Sequence, residues 1–386
     1  MALKEFRGMT WSHPRGLAPM RALAEQAALP GPLSVPGSRV RWDAQDLAGF
    51  ESRPIDALAA CYDLVVLDHP GLGRARAARA LAPLEELFPA AELAAWEAAS
   101  VGAAYESYRY EGHQWALPVD AAAQVSAHRP DLLADVPATW EEVLALPAEV
   151  KMCVPTAGPH TLLTFLGIAA AVDPALEATA TQLVPQAVGR EALDLLGRLI
   201  RRTPPDLLDL DPIEILDRMQ TGGIAYSPLV FGYVTYSDAT AGGLPPVCFR
   251  DAPAHRPGGT PGSVLGGTGL ALAARSADDE RLLEHVRQAM HGQAQRTVIP
   301  AAGGQPSATA AWEDPAVNAR WLDFYAATRR TQDAAWRRPR FDGWIAVQSG
   351  GSRLIYEGLR RKRDPKDLLD ELDVCYRWHR PTGASN

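Results

Sequence analysis

Apolar runs and polar loops alternate along this chain in the order strand, loop, helix. The clearest run is 62–67, YDLVVL, a continuous apolar stretch headed by Asp63. It reads as a buried strand, and it ends in the polar loop 68–71, DHPG. A weaker strand signal over 5–12 runs into 10–16, TWSHPRG, where polar residues, a Pro and a Gly make a loop between strand and helix. Residues 17–28 are apolar at helical spacing, 40–42 form a second short strand, and 47–60 is a helix that Pro54 interrupts. This succession predicts a parallel α/β sheet with right-handed crossovers, in which ligands bind beyond the carboxyl ends of the strands.

The chain is organised around 110–124, YEGHQWALPVDAAAQ. Gly112 allows a positive-φ turn, 115–117 can pair as a short strand, and Pro118 fixes its own φ and donates nothing to a ladder. The stretch reads as a strand that enters a sheet and leaves through a stiff crossover between two lobes, with an ordinary loop-to-strand junction as the plainer alternative. A second β/α pattern follows it. Strands are expected at 125–128, 152–155, 223–226 and 246–251, and a Gly-bearing strand pair at 264–274. Helices are expected at 139–146, with Thr139 in a capping box, at 162–171 and 191–200, and at 211–219 behind Asp211 and Pro212. Further helices are expected at 278–292, 316–328, 352–360 and 364–377; 227–233 reads as an aromatic loop, 297–304 as extended and 338–347 as irregular.

Composition narrows the function. At 386 residues the chain is long for a single core, so two lobes are expected. A net charge of −8 argues against nucleic acid or an anionic membrane surface as partner. The arginines at 329, 330, 337, 338 and 340 and the cluster 360–363 have acids nearby and read as solvated helix faces. The four cysteines are far apart, so no metal or redox pair is expected, and no cofactor is implied. No uncharged apolar stretch is long enough to span a bilayer. The first residues carry no signal-peptide pattern, which places the chain in the cytoplasm as it stands, or outside it if a signal peptide has been trimmed.

The order of parts resembles the extracellular solute-binding proteins, family 1, of ABC importers: the type 2 periplasmic-binding-protein fold that includes maltose-binding protein. The strand 62–67 with its polar loop carries the resemblance, with the aromatic, Gly, Pro and acid of 110–120 and the Thr-Trp-Glu-Glu of 139–142. So do the Gly-x-Ala segment within 222–226, the Gly-Gly-x-Gly of 266–269, and Pro300. It implies an α/β fold of two lobes, each a mostly parallel sheet flanked by helices, with a ligand cleft between them and hinge closure. Transferred to this chain, the first lobe is 1–115 with 255–310 and the second 116–254 with 311–386. One departure is the lack of a stretch of clustered acids and Trp that would mark a long oligosaccharide groove.

Cleft residues are expected at strand ends. The candidates are Trp11, Ser12, His13 and Arg15, then Asp68 and His69, then Asp120 and Gln124. From the second lobe come His160, Thr161, Tyr226, Phe231 and Tyr233, with Gly267, Thr268 and Gln305 beside the returning strand. Aromatic faces with carboxylates, amides and an Arg suit a small polar ligand: a sugar or polyol, or a small organic acid paired bidentately with Arg15. Several of these residues have structural alternatives. Trp11, Tyr226 and Tyr233 could pack a core, His13 and His160 could cap helices, and Asp120 could form an ion pair at a hinge. The expected partners are a small polar solute and an ABC permease, with the chain itself a monomer. The competing reading is an enzyme on the same architecture, as in thiaminase I, using Asp68, His69, His13, Asp120 or Cys153, although Cys153 lies in an apolar run that reads as buried.

Overall fold

A computed structural model describes residues 3–238, 240 and 243–384. Seven strands join in one sheet. They are β1 (Lys4–Trp11), β2 (Ser38–Gln45), β3 (Leu64–Leu67), β4 (Leu117–His128), β5 (Tyr226–Phe231), β6 (Cys248–Arg250) and β7 (Leu265–Leu272). The order is β2-β1-β3-β7-β4-β5, and β6 also pairs with β4. Parallel pairing within the sheet is confined to β2-β1-β3, where consecutive strands are joined by helical crossovers. β4 to β7 pair antiparallel, because β7 returns from far along the chain and enters against its neighbours.

Two strands carry the crossing between the halves of the molecule. The first part of β4 pairs with β7 from Leu117 to Ala123, and its last part pairs with β5 from Gln124 onward. Every residue of β4 is buried. The expectation that the chain leaves the sheet at Pro118 is therefore corrected. Pro118 sits inside β4, where the register shifts between Pro118 and Asp120, and a bulge is where a residue without an N–H is tolerated. At Gly267 φ is +93°, and a Cβ would collide with the Asp120 carbonyl, so this close approach of β7 to β4 requires glycine.

Helices pack on both sides of the crossing: α1 (Pro14–Ala27), α2 (Leu47–Ser52), α3 (His160–Val172), α4 (Gln186–Arg202), α5 (Pro212–Gln220), α6 (Glu280–Met290), α7 (Trp344–Arg360) and α8 (Pro365–His379). One apolar cluster joins β1, β3, β7 and α6 through Phe6, Leu64, Leu270 and Val286, and a second joins Met9, Val65, Tyr108 and Trp115. On the other side, α3, α4, α7 and α8 share a core of Phe165, Leu196, Trp344 and Tyr376, and β4, α5 and β6 share one with Val125, Ile215 and Phe249. The capping box at Thr139 and the N-cap at Asp211 are formed as the sequence predicts, and at Asp211 Glu214 completes a second capping box.

Several local expectations fail. Residues 152–155 make only an isolated bridge from Met152 to Tyr226, and 264–274 is one strand, not a pair. Residues 297–301 are helical and 302–303 a turn, not extended, with Pro300 in the first turn of a short helix, where its missing N–H costs nothing. The helix expected over 316–328 is broken, because Leu322 and Asp323 both take positive φ. The aromatic loop expected at 227–233 is mostly β5. No helix among the described residues is long and apolar enough to cross a membrane.

Candidate functional site

A cavity of about 390 Å³ opens at the carboxyl ends of β1, β2 and β3. One wall carries Trp11, Phe50, Glu51 and Asp68; facing it are Leu163 of α3, Phe231, Tyr233, Phe341 and Gln348. Gly267 and Thr268 of β7 run between the two walls.

The floor is locked by Arg15. Its Nε and Nη2 donate to the two Asp120 oxygens at 2.9 and 2.5 Å, and its Nη1 donates to the Gly232 carbonyl at 2.9 Å. The guanidinium also lies over the Tyr233 ring, 4.6 Å from its centroid. Arg15 and Asp120 are 5% exposed, so the pair holds together only because each charge meets the other. The expectation that Arg15 receives a ligand carboxylate bidentately is thus corrected, since its fork is already filled by Asp120. Gln305 braces the same floor: its Nε2 donates to the Ala121 carbonyl and its Oε1 accepts from Val234 N–H, both at 2.9 Å.

Two carboxylates in the wall differ sharply. Both Asp68 oxygens accept from Arg338 Nη2 at 2.8 Å, and His69 Nδ1 lies 3.2 Å away. Burial pushes the Asp68 carboxyl up, but Arg338 and His69 outweigh it and hold it at about 2. Arg338 is itself pinned by the Leu265 carbonyl and by Gln348 Oε1. Among the described residues no Lys or Arg lies within ion-pair distance of Glu51, although the charge of Arg338 still reaches it. His160 Nε2 lies 3.5 Å from the Glu51 Oε1. Burial, followed by the charge of Asp68, pushes the Glu51 carboxyl up to about 7. Burial, followed by Arg338, pushes His160 down to about 3, so that ring is neutral.

No protein-family profile and no curated protein sequence matches the chain. Solved structures do. An ABC transporter solute-binding protein from Agrobacterium radiobacter K84 in complex with ribitol superimposes with a TM-score of 0.76 at 18% identity, covering 98% of each chain. Maltose-bound MalE3 of T. maritima gives 0.75 at 17% identity, covering 98% of this chain and 100% of its own. A solute-binding protein from Thermotoga lettingae TMO bound with α-D-tagatose gives 0.77 at 14% identity, covering 97% and 99%. The fold is that of the two-lobed ABC-transporter solute-binding proteins.

Within this binding-protein fold the candidate residues separate. Trp11, Arg15, Asp68, Phe231, Tyr233, Gly267 and Thr268 line the cavity. The others lie outside its lining. Ser12 is exposed. His13 caps α1, accepting from Arg15 N–H at 3.1 Å, and packs edge-on against Tyr233. His69 is fully buried against Tyr108. Asp120 serves Arg15, and Gln124 is buried in β4 with its amide unpartnered among the described residues. His160 opens α3 behind Phe231, and Thr161 donates to the Thr156 carbonyl at 3.0 Å. Tyr226 is buried in β5, and Gln305 is the floor brace. Cys153 is fully buried, and burial pushes its thiol far above the ordinary range, as expected of a core thiol and not of a nucleophile.

Sequence reasoning missed Phe50, Glu51 and Gln348, and it misread Arg338. That arginine is 3% exposed and reaches into the cleft; it does not sit on a solvated helix face. Arg337, by contrast, pairs with Glu106 at the surface, as expected of a solvated arginine with an acid nearby. A signal for Glu51 existed: it follows β2 just as Arg15 follows β1 and Asp68 ends β3.

Proposed function

We propose that this chain is a solute-binding protein that captures a small polar ligand, a sugar, polyol or small organic acid, in the cleft between two lobes that close by hinge motion, and delivers it to an ABC permease. The observation that carries this reading is the cavity itself, which is large enough for such a ligand and walled by residues from both sides of the crossing strands β4 and β7. The folds superimposed above, two of them holding a sugar and one a polyol, support the ligand class. The lobes proposed are 1–115 with 255–310, and 116–254 with 311–386. The separate apolar clusters on the two sides support this division. A monomer is proposed, as each half has its own core.

The test is native mass spectrometry of the protein with a mixed pool of sugars, polyols and small acids, alongside small-angle scattering with and without whatever is retained. One unchanged molecule bound at equal stoichiometry, with a smaller radius of gyration on binding, is expected. A pool component that is consumed, or a chain that retains nothing, would overturn the reading.

A further inference from the structure

The charges around the cavity balance except at one point. Asp68 is matched by Arg338, Asp120 by Arg15, and Arg74 by Asp56. Asp342 and Arg53 sit exposed at the rim. Glu51 faces the cavity, yet among the described residues no Lys or Arg lies within ion-pair distance of it, Arg53 two positions on included. Among the described residues, the one cationic-type group within ion-pair distance of it is a buried, neutral histidine. A half-buried carboxylate facing a cleft without a cation is left with unmet charge, and a ligand that supplies the cation relieves it.

The surroundings favour a particular cation. Phe50 precedes Glu51 on α2 and packs on Trp11 with ring centroids 5.1 Å apart. Phe231, in contact with the His160 ring, lines the cavity from the other side. Phe50, Trp11 and Phe231 line the same cavity as Glu51, so the apolar part of an organic ammonium has aromatic surface to lie against while its charge meets the carboxylate. A divalent metal is a poor fit, since no group of three or more His, Cys, Asp or Glu suited to a metal occurs among the described residues.

We propose that the ligand of this cleft is a polyhydroxylated amine, whose ammonium group pairs with the Glu51 carboxylate in the wall of the cavity. This rests on the solute-binding reading above and names its ligand class. Other groups act on Glu51 as well: Asp68 and Asp211 raise its proton affinity, Arg338 lowers it, and His160 faces it. Because its carboxyl titrates at about 7, an ammonium ligand binds better as the pH rises through that value, whereas a neutral polyol gains nothing from the ionisation.

The probes are matched pairs: sorbitol with glucamine, and methyl glucoside with the analogue whose exocyclic hydroxymethyl is aminomethyl. Each pair is offered at equal concentration to the full chain and read by calorimetry and native mass spectrometry at about pH 8 and about pH 6. The amine member is expected to bind at least about tenfold tighter at the higher pH. That preference is expected to shrink at the lower pH and to vanish in Glu51→Gln, in which the two members of each pair bind alike. Glu51→Asp is expected to keep part of it, and circular dichroism identifies any variant that has not folded. Equal affinity within each pair, or a preference that persists in folded Glu51→Gln, overturns the ammonium assignment and leaves the binding reading standing. Retention of no probe by the native chain counts against both.

Discussion

The floor and the wall of one cleft are built on opposite terms. On the floor, Arg15 meets Asp120, the Gly232 carbonyl and the face of Tyr233, and Gln305 ties β4 to Val234 N–H. Each main donor is spent on a partner within the protein. On the wall, Asp68 is satisfied in the same way by Arg338, but Glu51 on the short helix α2 is not. The difference separates residues that tie β4 to α1 and to the segment after β5 from a residue left to meet something else. A polar side chain in a cleft is not a ligand contact by location alone; what matters is whether the protein has already used its hydrogen-bonding capacity.

The largest effect that would break this comparison is expected on the floor. Arg15→Met removes the cation and leaves Asp120 buried and unpaired, which should cost about 3–5 kcal/mol of stability in denaturant unfolding. The double variant Arg15→Met with Asp120→Leu should recover much of that loss, since neither charge then remains. A single variant within about 1 kcal/mol of the native chain would show that the floor is not locked by this pair.

A smaller effect is expected at the satisfied side of the wall. Asp68→Asn weakens the hold on Arg338 and should cost about 1–3 kcal/mol at neutral pH. The pH dependence has a definite sign. Folding lowers the Asp68 carboxyl from its ordinary value near 4 to about 2. Its contribution is therefore fully present above pH ~4 and is lost as the pH falls toward 2. Unfolding free energies of the two proteins should converge over that acidic interval, and a constant gap would mean that the Asp68 charge is not what Arg338 depends on.

How far the sequence reaches follows from the range over which each feature is specified. The run 62–67, the capping box at Thr139 and the N-cap at Asp211 are local, and they were legible because a few adjacent residues decide them. Pro118 was misread because its effect depends on a register shift against β7, whose pairing residues lie far along the chain. Arg338 was misread for the same reason: 270 positions separate it from Asp68, and no local pattern shows that an arginine in a basic cluster turns inward. Trp11, Asp68, Phe231 and Tyr233 were reachable because the ends of strands predict where a cleft lies. Applying that rule to β2 as well would have reached Phe50 and Glu51. What remained hidden was the division of labour, because Arg15 looks like a ligand donor until its partner Asp120 is seen in space.

The mildest prediction sharpens the comparison most. Glu51 is the reverse of Asp68, because folding raises its carboxyl from its ordinary value to about 7. Such a group favours the folded state below its unfolded value near 4, and that advantage drains away as the pH climbs through 7. Glu51→Gln removes the titration and keeps the shape. It should leave stability unchanged in acid and raise it by up to about 1 kcal/mol above neutrality, a modest figure because the side chain retains 31% exposure. Thermal unfolding of both proteins from pH ~5 to ~8.5 would check it, through curves that separate on the alkaline side. Asp68→Asn is destabilising where Glu51→Gln is stabilising, although both remove one negative charge from the same cavity. A protein that gains stability when a cleft carboxylate is neutralised is keeping that carboxylate for a partner it does not itself provide. If Glu51→Gln instead destabilised the chain at high pH, Glu51 would belong with the floor, and the contrast between the two sides of the cleft would collapse.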